Sequence, residues 1–224
     1  SAMASSSVGA SSLTTSSSAS GATSTTPSGS SSGGVTNNLG FEAGTFEGWL
    51  QTGNNSGTLA SYQVVSTVEG LFPSEGNSMA YVTSNNASFN FLHLPTMDFS
   101  SFTQVCFDLR LLTTTASGSM FASGVEVIGK EPMNGQPLLA SLAPSSSGSG
   151  YRKVNYITGE QGMGDLVPIS GTEPYAYATP WETFCFAPSA VTGTDWVITS
   201  ATLSFFFNFE AGTQAYLVDN IRML

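Results

Sequence analysis

Charge is what this 224-residue chain has least of: only 9% of its residues are Asp, Glu, Lys or Arg. Five Lys and Arg stand against fifteen Asp and Glu, for a formal net charge of −10. A phosphate backbone or an anionic membrane surface would be repelled, which excludes nucleic acid as a partner class. There is one histidine, His93, and there are two cysteines, Cys106 and Cys185, with no CxxC or Cys/His grouping from which a zinc site is built. No GxSxG elbow is present, and no ExDxxE run places paired carboxylates along one strand. The nearest pair, Glu126 and Glu131, is spaced to fall on opposite faces of an extended strand. A lone His in the alternating run FNFLHLP reads as a packed or solvated residue, not a general base. These absences leave no catalytic constellation, so no catalytic residue is assigned and an enzyme is not expected. Apolar runs also stay well short of the roughly 18 residues that span a bilayer, so membrane insertion is not expected.

Against that poverty of charge the chain carries 15 Phe, 7 Tyr and 3 Trp. Almost none of these large residues lies in residues 1–34, an uncharged Ser/Thr/Gly/Ala tract that gains too little apolar burial to offset the entropy of ordering. This tract reads as a flexible, disordered linker or stalk, and its opening Ser-Ala-Met reads as the remnant of a cleaved tag. Residues 35–224 are enough for one domain with a real core. Their surface has to be built largely from Ser, Thr, Asn and Gly, as suits a secreted β-protein.

From Asn38 onward, short alternating segments are broken by Gly, Asn, Ser and Pro, and the helical period is almost absent. Strands are expected at 48–52, 60–65, 78–83, 88–92, 103–112, 123–128, 151–157, 182–186, 201–208 and 214–223. About ten strands with regular turn signals indicate an all-β fold, a two-sheet jelly-roll β-sandwich. In VCFDLRL, Val105, Phe107 and Leu109 point to the core while Cys106, Asp108 and Arg110 point away. The run LSFFFNF is apolar on both sides, as expected of a central strand whose outer face is covered or used for binding. Residues 113–118, 130–150 and 159–180 read as long loops, where binding functions usually sit. Cys106 and Cys185 lie in β-like apolar runs, equally compatible with a cross-strand disulfide and with two buried thiols.

The pentapeptide FEAGT occurs twice, at Phe41–Thr45 and Phe209–Thr213, but the flanks do not match and no duplication is implied. The second copy lies between two strand patterns and reads as a hairpin loop with Gly212 at positive φ. The first has no such explanation. Taken in order, NLGFEAGTFEGW, FPSEGNSMAYV, TQVCFDLRL, PWETFCF and AYLVDNIRML resemble the jelly-roll carbohydrate-binding modules, galactose-binding-like β-sandwiches of extracellular bacterial proteins. The likeness runs from Asn38 to the C-terminus, with 113–180 unmatched. It implies that first and last strands meet, and that a structural calcium ion is held by Glu42, by Asp219, and by carbonyls of the loop Glu75-Gly76-Asn77-Ser78, with Asn77 and Ser78 as ligands. A hard cation does want such oxygens from separate segments. The bland alternative has Glu42 and Asp219 merely solvated or bonded to backbone.

A glycan site needs exposed rings beside hydrogen-bonding groups. Trp49 and Trp181 resemble core-packing aromatics of the family, whereas Trp196 precedes a strand and fits either place. Tyr151 and Tyr156 flank Arg152, Lys153 and Asn155, and Tyr175 and Tyr177 share a Pro-bounded loop. Tyr151, Arg152, Asn155, Tyr175, Tyr177 and Trp196 are therefore the candidate ligand residues, with Gln161 a further one. The competing reading packs these rings beneath the loops. Asn54 and Asn86 lie in glycosylation sequons, which arise by chance in so Ser- and Asn-rich a chain. The expected function is non-catalytic binding of a polysaccharide by an extracellular or cell-surface module. The alternative is a structural or adhesive subunit, for which low charge leaves self-association and contacts with other surface proteins weakly opposed.

Overall fold

The structure, a computed structural model, describes residues 38–53, 60–85, 87–116, 124–130, 136–145, 149–170, 174–210 and 213–224. The linker tract, Asn54, Asn86, Glu131 and Gly212 lie outside the described residues. Among the described residues fourteen strands form two antiparallel sheets, with short 3-10 turns at Pro188–Ala190 and Ile198–Ser200. In the front sheet the order is β1 (Leu50–Gly53), β4 (Ser88–His93), β13 (Ser204–Phe209), β6 (Gly124–Ile128), β7 (Leu138–Pro144), β8 (Tyr151–Asn155) and β9 (Gln161–Gly164). The back sheet runs β10 (Val167–Pro168), β11 (Tyr177–Ala178), β5 (Val105–Thr113), β14 (Gln214–Met223), β3 (Met79–Thr83) and β2 (Ser61–Val65), with β12 (Glu182–Phe186) also paired to β5. The all-β, two-sheet sandwich expected from the alternation is what forms.

Period-two alternation sends Phe205, Phe207 and Phe209 of β13 and Val105, Phe107, Leu109 and Leu111 of β5 into one core between the sheets. Rings link across it: Trp49 to Phe205 at 6.0 Å, Phe205 edge-on to Phe107 at 5.3 Å, and Phe107 stacked on Phe184 at 5.7 Å. Phe207 and Phe209 both meet Tyr216, at 5.5 and 5.3 Å. Each such pair adds about 0.5–1.5 kcal/mol beyond its area burial. On the outside of the back sheet a second apolar cluster forms from Met79, Leu112, Tyr175, Ala178, Ala215 and Leu217. Cys106, Asp108 and Arg110 do point away from the main core, yet Cys106 and Asp108 are buried all the same.

Several expectations change. The stretch 130–150 contains β7, and 159–180 contains β9, β10 and β11. LLASLAP and QGMG lack the β-branched and aromatic residues that mark strands, and the other two strands are two residues long. The second FEAGT does not join a hairpin: β13 pairs β4 and β6, β14 pairs β3 and β5, so this connection crosses from one sheet to the other. Both strands have aromatic inner faces, and those faces are buried only by being opposed. For the same reason the first and last strands do not meet edge to edge; β1 is at the rim of the front sheet and β14 lies inside the back sheet.

Cys106 and Cys185 are cross-strand partners in β5 and β12, and their sulfurs are bonded. The bridge closes a loop with a sequence separation of 79. On the chain-entropy account a loop of that size is worth about 4 kcal/mol. Denaturant unfolding with and without reductant, and of a Cys106→Ser/Cys185→Ser variant, is expected to show that loss, with melting lowered by about 10 °C. Indistinguishable curves would remove the bridge from the stability of the domain.

Candidate functional site

The outer face of the front sheet is where the structure concentrates exposed apolar side chains. Alternation in β4 and β13 sends Asn90, Leu92, Phe205 and Phe207 inward, and so Phe89, Phe91 and Phe206 outward. Phe206 is the cross-strand neighbour of Phe91, with rings stacked at 4.9 Å and 20° between planes; Phe89 joins them at 5.5 Å. The same cross-strand row reads Thr52, Phe91, Phe206, Glu126, Ser141, Val154 and Gln161, of which Ser141 and Val154 are buried. One step along, Met163 opposes Arg152, and the Tyr156 hydroxyl lies 3.3 Å from that of Ser141. Among the described residues eight large hydrophobics are exposed, and four of them, Leu50, Phe89, Tyr156 and Met163, are on this one face. This partly apolar sheet face also carries Glu126, Arg152 and Gln161, and exposed apolar patches with polar neighbours are of the kind that mark interaction sites. Its signal was already in the sequence as the two-sided run LSFFFNF and the alternation in SFNFLH.

The tyrosine-centred site takes a different form. Tyr151 and Asn155 belong to the same strand as Arg152 but to its opposite face. Tyr151 is buried in the main core and donates its hydroxyl to Glu182 Oε1. Asn155 donates from Nδ2 to the Cys185 carbonyl at 2.8 Å and accepts the N–H groups of Ile157 and Thr158. Tyr175 is sealed in the back cluster, with its hydroxyl toward the Gln214 carbonyl at 3.4 Å, and Tyr177 packs half-buried on the main core. Trp196 lies against Phe99 at 5.7 Å and over Gly129, where a Cβ would come within 2.6 Å of the indole. These rings are committed to packing. Of the candidate ligand set only Arg152, with Gln161 beside it, lies on the open face. Trp49 is core as expected. Trp181, half-buried, packs against the back cluster and not the main core, with Arg110 5.8 Å over its ring and its Nε1 donating to the Phe72 carbonyl.

Glu42 and Asp219, from distant parts of the chain, do line one cleft of about 260 Å³, together with Glu75 and Gly76. What positions Glu42 is a compact bracket ahead of β1. Asn38 accepts the Ala43 N–H at 3.0 Å and donates to the Thr45 carbonyl at 2.7 Å, and Phe41, at φ 61°, is fully buried and stacked on Trp49 at 5.2 Å. Glu42 then accepts the Asn77 N–H on both carboxylate oxygens at 3.0 Å and the Ser78 N–H at 3.1 Å. Asp219 Oδ2 accepts the Ser74 N–H and hydroxyl and the Glu75 N–H, and its Oδ1 accepts the Asn220 N–H. Burial still pushes the Asp219 carboxyl above its ordinary value, against the opposing pull of these bonds. The loop thus turns N–H groups, not carbonyls, toward the two carboxylates. That is the reverse of a calcium shell, which gathers six to eight oxygens. Among the described residues no group of three or more His, Cys, Asp and Glu side chains is placed to hold a metal. As seated, the residues fit a carboxylate clamp on the 74–78 backbone.

Two of the charged residues bridge the sheets: Lys153, facing inward from β8, pairs with Glu182 of β12 at 2.8 Å and with Glu160 at 3.4 Å. The hydrogen bond to Glu182 holds its ammonium above the usual lysine range. Glu126, by contrast, has Phe206 and Ser141 as its cross-strand partners, and desolvation raises its carboxyl above the ordinary 4.5. Between that ordinary value and the raised one, the folded chain holds a proton that the unfolded chain has lost, so stability falls as pH climbs through the window. Urea midpoints from about pH 4 to about pH 7 are expected to show this slope, and Glu126→Gln to flatten it; an unchanged slope in the variant would contradict the desolvation.

No family model and no curated sequence matches the chain. Solved structures of similar shape include the K2 cleaved adhesin domain of Lys-gingipain, at 14% identity and a TM-score of 0.49 over 83% of this chain and 96% of that one. The family 11 carbohydrate-binding module from Clostridium thermocellum, in complex with a β-1,3-1,4-mixed-linked tetrasaccharide, has 13% identity and a TM-score of 0.40, covering 79% of this chain and 88% of its own. TmCBM61 in complex with β-1,4-galactotriose has 13% identity and a TM-score of 0.40 over 86% and 99%.

Proposed function

We propose that this domain is a non-catalytic binding module, extracellular or anchored at a cell surface, that holds a polysaccharide on the outer face of its front sheet. The observation that carries the proposal is the outward-facing cluster of exposed Phe89 with half-buried Phe91 and Phe206, on a sheet whose other face is core. Sugars present apolar C–H surfaces to aromatic rings and hydroxyls to polar neighbours, and Glu126, Gln161 and Arg152 supply the latter in adjacent rows. Apolar stacking on a largely uncharged surface suits a neutral polymer. Glu126 has no carboxylate at its cross-strand positions, so the paired acids of glycoside hydrolysis are not formed there. No described helix is long and apolar enough to cross a membrane.

The second reading, an adhesive or structural subunit, draws on the same face: stacked phenylalanines would equally serve packing against another protein. Retention on a panel of insoluble polysaccharides, run beside light scattering, separates the two. Phe206→Ala or Phe89→Ala is expected to weaken polysaccharide retention about tenfold or more, while Phe72→Ala, an exposed ring on the far side, leaves it intact. Concentration-dependent assembly that Phe206→Ala abolishes, with no retention on any polysaccharide, would replace the first reading by the second.

A structural calcium ion belongs to this proposal as well, at the cleft that Glu42 and Asp219 both line. Its entry requires the 74–78 backbone to turn carbonyls inward. Melting curves in calcium and in excess chelator are expected to differ by several degrees if it binds; identical curves would leave the N–H clamp as the only tie between these segments.

A further inference from the structure

At one end of the open face, beyond the phenylalanines, a cavity of about 190 Å³ is lined by Leu50, His93, Leu94, Pro95, Thr96, Lys130 and Thr202. It is continuous with the face, because Leu50 and His93 are cross-strand partners in β1 and β4, and His93 is two residues from Phe91 on the same side. Its volume is below the roughly 300–1,000 Å³ of drug-sized pockets and is on the scale of a single sugar ring. Leu50 and Pro95 give it apolar walls, and the Thr96 and Thr202 hydroxyls, 3.2 Å apart, give it a polar one.

Its charge is unusual for this chain. Of five Lys and Arg in the sequence, Arg110 is taken up by the Thr179 carbonyl and the Trp181 ring, Lys153 by Glu182 and Glu160, and Arg222 is half-buried beside Cys106 in the back sheet. The two that are exposed, Lys130 and Arg152, both belong to the front face. Lys130 lines the cavity, and no described Asp or Glu does. With a net charge of −10 the protein as a whole repels polyanions. A local cation in a ring-sized cavity that no described acid lines therefore selects one anionic group at a fixed place, not a continuously charged polymer.

We infer that this cavity is a binding site for an acidic sugar residue, one pyranose ring bearing a carboxylate or a sulfate ester, that ends or branches from an otherwise neutral glycan lying on the phenylalanine face. The inference rests on the glycan reading of that face and names the unit at its end. Lys130 meets the anionic group, the two threonine hydroxyls and His93 meet ring hydroxyls, and Leu50 with Pro95 covers the C–H surface.

Single sugars test it without the polymer. The resonances of Lys130, Thr202 and Leu50 are followed by NMR as sodium glucuronate, sodium galacturonate, glucose 6-sulfate, glucose or acetate is added. Saturable shifts confined to this cavity are expected with the acidic sugars, while glucose and acetate bind about tenfold more weakly or worse. Whichever of the carboxylate and sulfate sugars saturates first identifies the group. Lys130→Met is expected to cancel the preference for acidic sugars, and Phe206→Ala to leave it in place, so that loss of the polysaccharide face and loss of this site are separate results. Equal binding of glucose and glucuronate, or no saturable shift with any acidic sugar, would overturn the proposal.

Discussion

The strand Ser204–Phe209 has to satisfy two faces at once, and the rest of the molecule follows from how it does so. Alternation places Phe205, Phe207 and Phe209 in the space between the sheets, where Trp49, Phe107 and Tyr216 close around them. Once those three rings are inside, Phe206 can only point outward, between β4 on one side and β6 on the other. A one-residue slip would exchange the two sets and empty the core. The aromatic content that stabilises the sandwich therefore also generates its exposed face, and neither can be changed without the other.

The two sheets are treated differently on their outer sides. Behind the back sheet, Met79, Leu112, Ala178, Ala215 and Leu217 form a buried cluster with Tyr175, and the polar groups there are consumed internally: Asp108 accepts from Thr183 at 2.7 Å and from Asn220 at 2.9 Å. In front, the rings of Phe89, Phe91 and Phe206 stack on one another, with Phe89 left exposed. A chain with so few charges would be expected to hide its apolar residues with care, and on one side it does. The exception on the other side is the strongest single indication of what the domain is for. The cations follow the same asymmetry: Arg110 and Lys153 are engaged and Arg222 is half-buried, while the two exposed ones, Lys130 and Arg152, are in front.

Alternation made the fold class legible, because LSFFFNF, VCFDLRL and AYLVDNIRML each carry a clear period. What escaped was short or compositionally mute: LLASLAP and QGMG gain their strand character from neighbours, not from their own residues. The site escaped for a subtler reason. Tyr, Arg and Asn in YRKVN look like a ligand cluster when read together, but alternation divides them, sending Tyr151 and Asn155 into the core and leaving Arg152 outside. FFF cannot place three successive rings on one side of a strand, so LSFFFNF announced a second apolar face without disclosing whether that face is covered. Glu42 and Asp219 line one cleft, yet nothing in NLGFEAGT or PSEGNS discloses that the loop would offer N–H groups in place of carbonyls; that depends on backbone dihedrals such as the positive φ of Gly76.

Whether the face around Phe206 is open in the free protein is the point on which all of this turns. Solvent paramagnetic relaxation of the aromatic side chains, induced by a neutral gadolinium chelate, measures it directly. The structure predicts strong relaxation of Phe89, clear relaxation of Phe91 and Phe206, and protection of Phe205, Phe207 and Tyr216. If Phe206 is as protected as Phe205, the face is covered and is not a binding surface.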